Sequence, residues 1–249
     1  MLSKSLVLLC FSVFLGAAQA QPKNGLYEKT FAGYTEYVST KFGITVKFPE
    51  GFEDLHEYFV LKRVSENANS GSMYGPVFQS DDEECLILYP AIPYFQSKSD
   101  LERSRNLMQI NNAMNNDTSS TDVEFNDYDT YARSQIESEI KATMGLVDKY
   151  GNTLWDSEGF NLNDHIRVIS GEKAQSRFNA DSVYLYKLPL DKPYREKYTH
   201  RLGMVLYKKD RAKMLFKWFF TEKGKLNQET YLDLIWNTIT YKEEFEYEE

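Results

Sequence analysis

An α+β fold, a mainly antiparallel sheet with helices packed on its faces, is what this sequence of 249 residues predicts. Three observations point there. Apolar stretches of strand length recur towards both ends of the chain, stripes of helical period occupy its middle, and neither an internal repeat nor a Pro/Ser-rich linker divides it. A single domain with a helical insertion is the simplest arrangement. Hydrophobic residues make up 42% and charged residues 27%, which excludes collagen-like, mucin-like and wholly disordered classes. Lys and Arg number 29 against 37 Asp and Glu, a formal charge of −8. That balance argues against nucleic acid as a partner, since affinity there comes mostly from cations neutralising phosphates.

Residues 1–20 read as an address. Lys4 precedes an apolar run from Leu6 to Leu15, and Ala18-Gln19-Ala20 closes it. A basic start, an apolar stretch and an A-x-A terminus describe a secretory signal peptide cleaved near Ala20. The run falls short of the about 20 apolar residues that span a bilayer, and no later segment reaches that length. Export to a periplasmic or extracellular space is therefore expected, with 21–249 as the folded domain. Without Lys4, 28 basic residues face 37 acidic ones, a charge of −9. Cys10 leaves with the signal, so Cys85 has no intrachain disulfide partner. Asp81-Asp82-Glu83-Glu84 disfavour its thiolate, and it opens the apolar run Cys85 to Tyr89, so a buried strand cysteine is expected rather than a nucleophile.

The elements follow in order. Phe42, Ile44, Val46 and Phe48 alternate with small or polar residues, the period of a half-buried strand, and Pro49-Glu50-Gly51 turns the chain. Glu57 to Val64 and Cys85 to Tyr89 are further strands, with a polar loop over Asn67 to Ser72 between them. Ser99 and Glu102 form a capping box before the stripe Leu107, Ile110 and Met114. A polar loop from Asn115 to Asn126 leads to a second helix, capped by Asp129. Ala132, Ile136, Ile140 and Met144 lie on one face of that helix, and Gly145 ends it. Leu146 to Asp164 is an Asp/Asn/Gly-rich excursion. Strands return at Ile166 to Ser170, Lys173 to Phe178, Val183 to Leu188 and Leu202 to Lys208. The turn Lys209-Asp210-Arg211 leads to Lys213 to Thr221. In that last strand Met214, Phe216, Trp218 and Phe220 oppose Leu215 and Phe219, so a central strand apolar on both faces is expected. A closing helix capped near Asn227 carries Tyr231, Leu234, Ile235 and Ile239, and 243–249 form an acidic tail.

The order of a strand at Phe42-Gly43-Ile44-Thr45-Val46-Lys47-Phe48, a later pair at Leu202 to Tyr207 and Leu215 to Phe220, and a closing helix to Ile239 resembles the Mog1/PsbP-like α/β/α sandwich group of small binding and assembly proteins. The resemblance covers Phe42 to Gly51 and Ile166 to Thr240. It implies an interaction role and assigns no catalytic residue. Residues 53–164 depart from the pattern and read as an elaboration.

Chemical motifs are sparse. Neither the dinucleotide nor the P-loop glycine pattern is present. His56-Glu57 lacks the second histidine of a zinc protease helix, and Ser170-Gly171-Glu172-Lys173 spans a strand turn without the partner motifs of the serine–lysine enzymes. His56, His165 and His200 follow no metal-ligand spacing, so neither a metal nor a cofactor is expected. Asn116-Asp117-Thr118 matches the glycosylation acceptor pattern, though the short signal and low cysteine count suit a bacterial periplasm. The stretch from Trp155 to His165 mixes rings with carboxylates and amides, the inventory of a carbohydrate or calcium site, though its positions do not fit the EF-hand ligand pattern. Trp155, Asp156, Glu158 and His165 are its candidate ligand-binding residues. The 18 tyrosines fit either a ring-lined sheet or a recognition surface. The sequence thus predicts an exported envelope protein of non-enzymatic binding or assembly type, its partner an envelope protein or a glycan. The alternative is a secreted glycan-acting hydrolase using carboxylates of the 155–165 loop.

Overall fold

A computed structural model describes residues 26–63, 71–94 and 128–247. The signal segment, the capping-box helix near Ser99, the loop from Asn115 to Asn126 and the Asn116 acceptor lie outside these residues. The protein is an α+β domain in three layers. Helix α1 (Phe31–Phe42) precedes strands β1 (Ile44–Val46), β2 (Phe52–Asp54), β3 (Val60–Arg63), β4 (Gly71–Ser80) and β5 (Cys85–Pro90). Helix α2 (Tyr128–Thr143) and a short 3-10 turn lead to β6 (Ile166–Ser170), α3 (Glu172–Phe178), β7 (Ser182–Leu188), β8 (His200–Tyr207) and β9 (Met214–Phe220). Helices α4 (Glu222–Leu226) and α5 (Gln228–Ile235) and strand β10 (Ile239–Tyr241) follow.

The main sheet runs β2-β4-β5-β9-β8-β7-β6, with β3 pairing the other half of β4, and every neighbouring pair is antiparallel. β9 is its centre. Met214, Phe216, Trp218 and Phe220 sit fully buried on the first face under α1, α3 and α5. Tyr34 and Val38 of α1, Phe178 of α3 and Ile235 of α5 complete that core. The segment 53–164 supplies β3, β4 and β5 to this sheet and α2 to its other face. Tyr247 of the acidic tail accepts a hydrogen bond from the Ala212 amide at 2.6 Å, and Phe245 lies against Arg211. Among the described residues no helix is long and apolar enough to cross a membrane.

Four local expectations change. The strand expected from Phe42 shrinks to Ile44–Val46, because α1 continues to Phe42 and Gly43, at φ 61°, ends it. A side chain at Gly43 would also collide with Phe245 and Arg211. Lys173–Phe178 is not a strand but the body of α3. Its run of helix formers buries Ala174 and Phe178 one turn apart, and Asn179 caps it in the left-handed conformation. The closing helix splits into α4, capped by the Thr221 hydroxyl accepting from Gly224 N at 3.0 Å, and α5. Asn227 stands between them without a side-chain cap. Asn237 at φ 68° then redirects the chain, so Ile239 belongs to β10. Leu234 of α5 stands partly exposed, and so does Met144, just beyond α2. α2 itself starts at Tyr128, which places Asp129 inside the helix rather than at its cap.

Strand β4, like helix α1 and strand β2, is an element with no forecast. Its Gly75-Pro76 pair reads as a break, and the ladder to β5 shifts register between Tyr74 and Val77, so the irregularity absorbs the proline.

Cys85 pairs with Phe220 in the sheet and is fully buried, and burial pushes its thiol well above the ordinary range. A thiol-specific disulfide reagent is expected to leave Cys85 unmodified in the native protein and to modify it on denaturation, as read by peptide mapping.

Candidate functional site

The predicted 155–165 loop is anchored from beneath. Lys141 of α2, 1% exposed, pairs with Glu137 at 2.8 Å and donates to the carbonyls of Leu154 at 3.1 Å and Trp155 at 2.5 Å. Its ammonium also lies 4.7 Å from the Phe160 ring centre, and His165 stacks on the other partner of that contact with centroids 5.1 Å apart. One buried cation therefore ties Trp155, Phe160 and, through stacking, His165 to the helix. Trp155, Asp156 and Glu158 are exposed, and none of the four predicted residues lines either cleft described below. His56 and His200 are elsewhere, beside Asp54 at 3.7 Å and Glu222 at 3.1 Å respectively. Among the described residues no group of three or more His, Cys, Asp or Glu is placed to hold a metal ion.

The second face of the sheet holds a constellation that sequence reading passed over. Its apolar residues form two separate clusters. One gathers Tyr184, Leu188, Val205 and Tyr207 under Ala132, Ile136 and Ile140 of α2. The other gathers Tyr74, Val77, Leu86, Leu88 and Phe219 under Leu190 and Tyr194. Polar residues separate them. Antiparallel register sets Tyr186, Gly203 and Lys217 side by side across β7, β8 and β9, with Leu88 of β5 next in the row. In the adjacent row lie Leu188, Arg201, Phe219 and Leu86. The expectation of an apolar second face on β9 is corrected here. Leu215 and Phe219 do point that way, but Lys217 between them is 5% exposed.

Lys217 survives there because α2 brings it a carboxylate. Its ammonium donates to Glu139 Oε2 at 2.5 Å and to the Tyr186 hydroxyl at 3.0 Å, and Tyr186 donates to the same carboxylate at 2.6 Å. Burial pulls the Lys217 amine down while Glu139 opposes the shift. Burial, reinforced by Glu139, pushes the Tyr186 phenol far above its ordinary range. Gly203 makes the arrangement geometrically feasible, since a Cβ there would stand 2.1 Å from Tyr186 Cζ. Arg201 donates to the Pro189 carbonyl at 2.8 Å, and burial pulls its guanidinium down.

Lys217, Glu139 and Arg201 line a cleft of about 490 Å³, with Tyr186 and Gly203 behind its lining. Tyr74 and Phe219 form one wall, and the β7–β8 loop from Pro189 to Arg195 forms the other. Tyr194 packs on Phe219 with ring centres 4.3 Å apart, and the Lys62 ammonium sits 4.0 Å above the Tyr194 ring. Arg195 is bound to Glu57 at 2.6 Å. A volume of this size holds one small molecule. The sequence signal was a lone lysine within an apolar central strand, together with Glu139 on the helix stripe's flank, 78 residues away.

A second cleft, between β6 and α5, differs in kind. Arg167 holds Glu229 through two bonds of 3.0 and 3.1 Å, and Arg177 lies 3.2 Å from the Trp236 ring centre with Asp233 at 3.8 Å. Each arginine already meets a carboxylate of α5, so this cleft fastens a helix to the sheet edge.

Lys217→Met is expected to cost about 3–5 kcal/mol, because it leaves Glu139 buried without its cation, whereas Lys217→Met combined with Glu139→Leu recovers much of the loss. Gly203→Ala is expected to cost about 1–3 kcal/mol by displacing Tyr186. Denaturant unfolding of the four proteins measures both.

Lys213, 6% exposed, meets Gln135 of α2 at 2.7 Å, and burial pulls its amine down to about 7. Its folded value lies below the unfolded one of 10.5, so the unfolded chain binds more protons between those values and stability rises with pH from about 7. At and below neutral pH the full cost of the buried charge is present. Lys213→Met is therefore expected to raise the melting temperature at pH 6–7 and to flatten its rise towards pH 9.

No protein-family model matches the chain, and no curated protein matches it in sequence; the reading of the site rests on its own geometry.

Proposed function

We propose that the protein is an exported, non-enzymatic binding protein that takes its ligand in the cleft over Lys217, Glu139 and Arg201. The observation that carries this reading is the polar floor itself. At the centre of a sheet, between two apolar clusters, packing alone favours aliphatic side chains, and each charge there carries a desolvation cost. Burial-penalised charges opening into a cleft are candidates for a functional site. The floor is built to hold charge rather than to move a proton. Glu139 is engaged by both Lys217 and Tyr186, and the Tyr186 phenol is held far from neutral titration. The A-x-A segment ending at Ala20 supports export, and the resemblance of the sequence pattern to the Mog1/PsbP-like group supports an interaction role.

The test is native mass spectrometry of the chain from Gln21 to Glu249 after incubation with small molecules from its own host's envelope. The expected result is one small molecule retained at 1:1 and lost in Leu190→Trp, which fills the cleft from its loop wall. Retention unaffected by that variant would move the site elsewhere. Turnover of glycans that is abolished by Asp156→Asn or Glu158→Gln would replace this reading with hydrolysis on the 155–165 loop.

A further inference from the structure

We infer that the free edge of the main sheet at β6 docks an extended acidic segment of a partner protein, which adds to β6 as a further strand. The inference stands apart from the cleft over Lys217. The backbone is its first argument. β6 lies at the end of the main sheet and pairs only with β7. The Lys187 amide donates to the His165 carbonyl just before the strand, so antiparallel alternation turns the backbone groups of Arg167 and Ile169 towards β7. Those of Ile166, Val168 and Ser170 face outward, and no described residue bonds to them. Five consecutive pairs without a shift keep this edge regular, and it carries neither the Lys nor the Pro that usually blunts an edge. The opposite edge is broken instead, with three residues of β2 and four of β3 sharing an irregular β4.

The second argument is the cleft of about 560 Å³ that runs along this edge, lined by Arg167 to Ser170 of β6 and by Glu229 and Asp233 of α5. Ile166 packs on the second face of the sheet and Ile169 on the first, so side chains of an added strand alternate in the same way. Residues opposite Val168 stand beside an exposed β-branched side chain, 43% accessible. Residues between them point to the first face, over the cleft.

Charge selects the occupant. The Arg167–Glu229 and Arg177–Asp233 pairs hold α5 at the edge and stay as they are. Beside them Lys173 and Lys187 are exposed and meet no carboxylate among the described residues. Lys225 donates to the neutral side chain of Gln228, and its ammonium is opposed by Lys187 and Arg167. The cleft lining and the groups acting on Lys225 together hold five cations, Lys225 included, against two carboxylates, in a chain whose formal charge is −8. An acidic side chain over the cleft gains from this field without displacing an existing pair. The segment that fits therefore alternates acidic residues over the cleft with apolar residues beside Val168.

Fluorescence anisotropy of labelled heptapeptides with the chain from Gln21 to Glu249 tests the inference. The peptide Glu-Val-Glu-Val-Glu-Val-Glu is expected to bind at least tenfold more tightly than its counterpart with Lys in place of Glu, and to weaken with added salt. Methylating its valine nitrogens, which face β6, is expected to abolish binding, whereas methylating the inner glutamate nitrogens leaves it intact. Val168→Pro removes an outward N–H while costing the ladder no bond, so this variant is expected to fold and to lose the peptide. Lys173→Gln is expected to weaken the peptide about threefold, the worth of one exposed ion pair, at an unchanged melting temperature. Equal binding of the lysine peptide, or binding that survives methylation of the valine nitrogens, overturns the inference. So does the absence of binding at millimolar peptide. A chain that sediments as a dimer and becomes monomeric in Val168→Pro overturns it as well, because a second copy then occupies the edge. Each of these outcomes leaves the cleft over Lys217 to be decided by its own experiment with Leu190→Trp.

Discussion

The contact between Lys217 and Glu139 is the constraint on which the second face depends. Lysine ammonium groups are strongly hydrated, and sheet centres offer no water. Lys141, Lys213 and Lys217 are the buried lysines among the described residues, and all three lie at the interface of α2 with the sheet or the following loop. α2 contributes Gln135, Glu137 and Glu139 to meet them. The helix is therefore fixed in rotation and height by polar contacts spaced along it as well as by its apolar stripe. A shift of one residue would swing Glu139 by about 100° and strand the ammonium beneath. Apolar surfaces tolerate sliding, whereas buried ion pairs penalise it, and register fixing of this kind is the best-attested use of such groups.

The two faces of the sheet follow different rules. The first is a continuous apolar core in which α1, α3 and α5 meet alternate residues of β5, β7, β8 and β9. Its rings pack edge to face, as Tyr89 does against Phe78 and Phe216 at 5.0 and 4.9 Å. Stability resides there. The second face is divided, and the division creates the cleft. Seven strands across at about 4.8 Å spacing present a surface much wider than one helix of about 10 Å. Gly203 and Lys217 occupy the seam between the two clusters, where a larger residue at 203 would close on Tyr186.

The sequence revealed elements whose local pattern and burial agree. Cys85 to Tyr89, Val183 to Leu188 and Met214 to Phe220 are dense in β-branched, aromatic or aliphatic residues, and all are sheet strands. The Ala132, Ile136 and Ile140 stripe is the buried face of α2. Misreadings arose where tertiary context overrode a local signal. Gly75-Pro76 concealed β4 because an irregular ladder tolerates what a regular one excludes. Ile239 kept the helical period of α5, yet Asn237 sends it into a strand paired with Ile44–Val46. The cleft was illegible for a different reason. Its members come from β3, β4, α2, β8, β9 and the β7–β8 loop, and antiparallel register alone brings Tyr186, Gly203 and Lys217 into one row. A motif search sees neighbours in sequence, and this site is made of neighbours across strands. The 155–165 loop carried the more suggestive residue types, but its exposed carboxylates lie apart from both clefts.

The small sheet of β1 and β10 has a consequence for how the chain reaches this structure. Val46 pairs with Ile239 and Ile44 with Tyr241, so a ladder of three residues closes a loop of about 200. Loop-closure entropy rises only slowly with length, but it must be met before those contacts return anything. Every pairing of the main sheet can form within segments already made, whereas β1 waits for nearly the last described residues. The side of the first core carrying α1 is thus sealed by the most non-local strand pairing among the described residues, the kind of contact that slows folding. The α1 side of that core therefore stays open until the segment around residue 241 is available to close it.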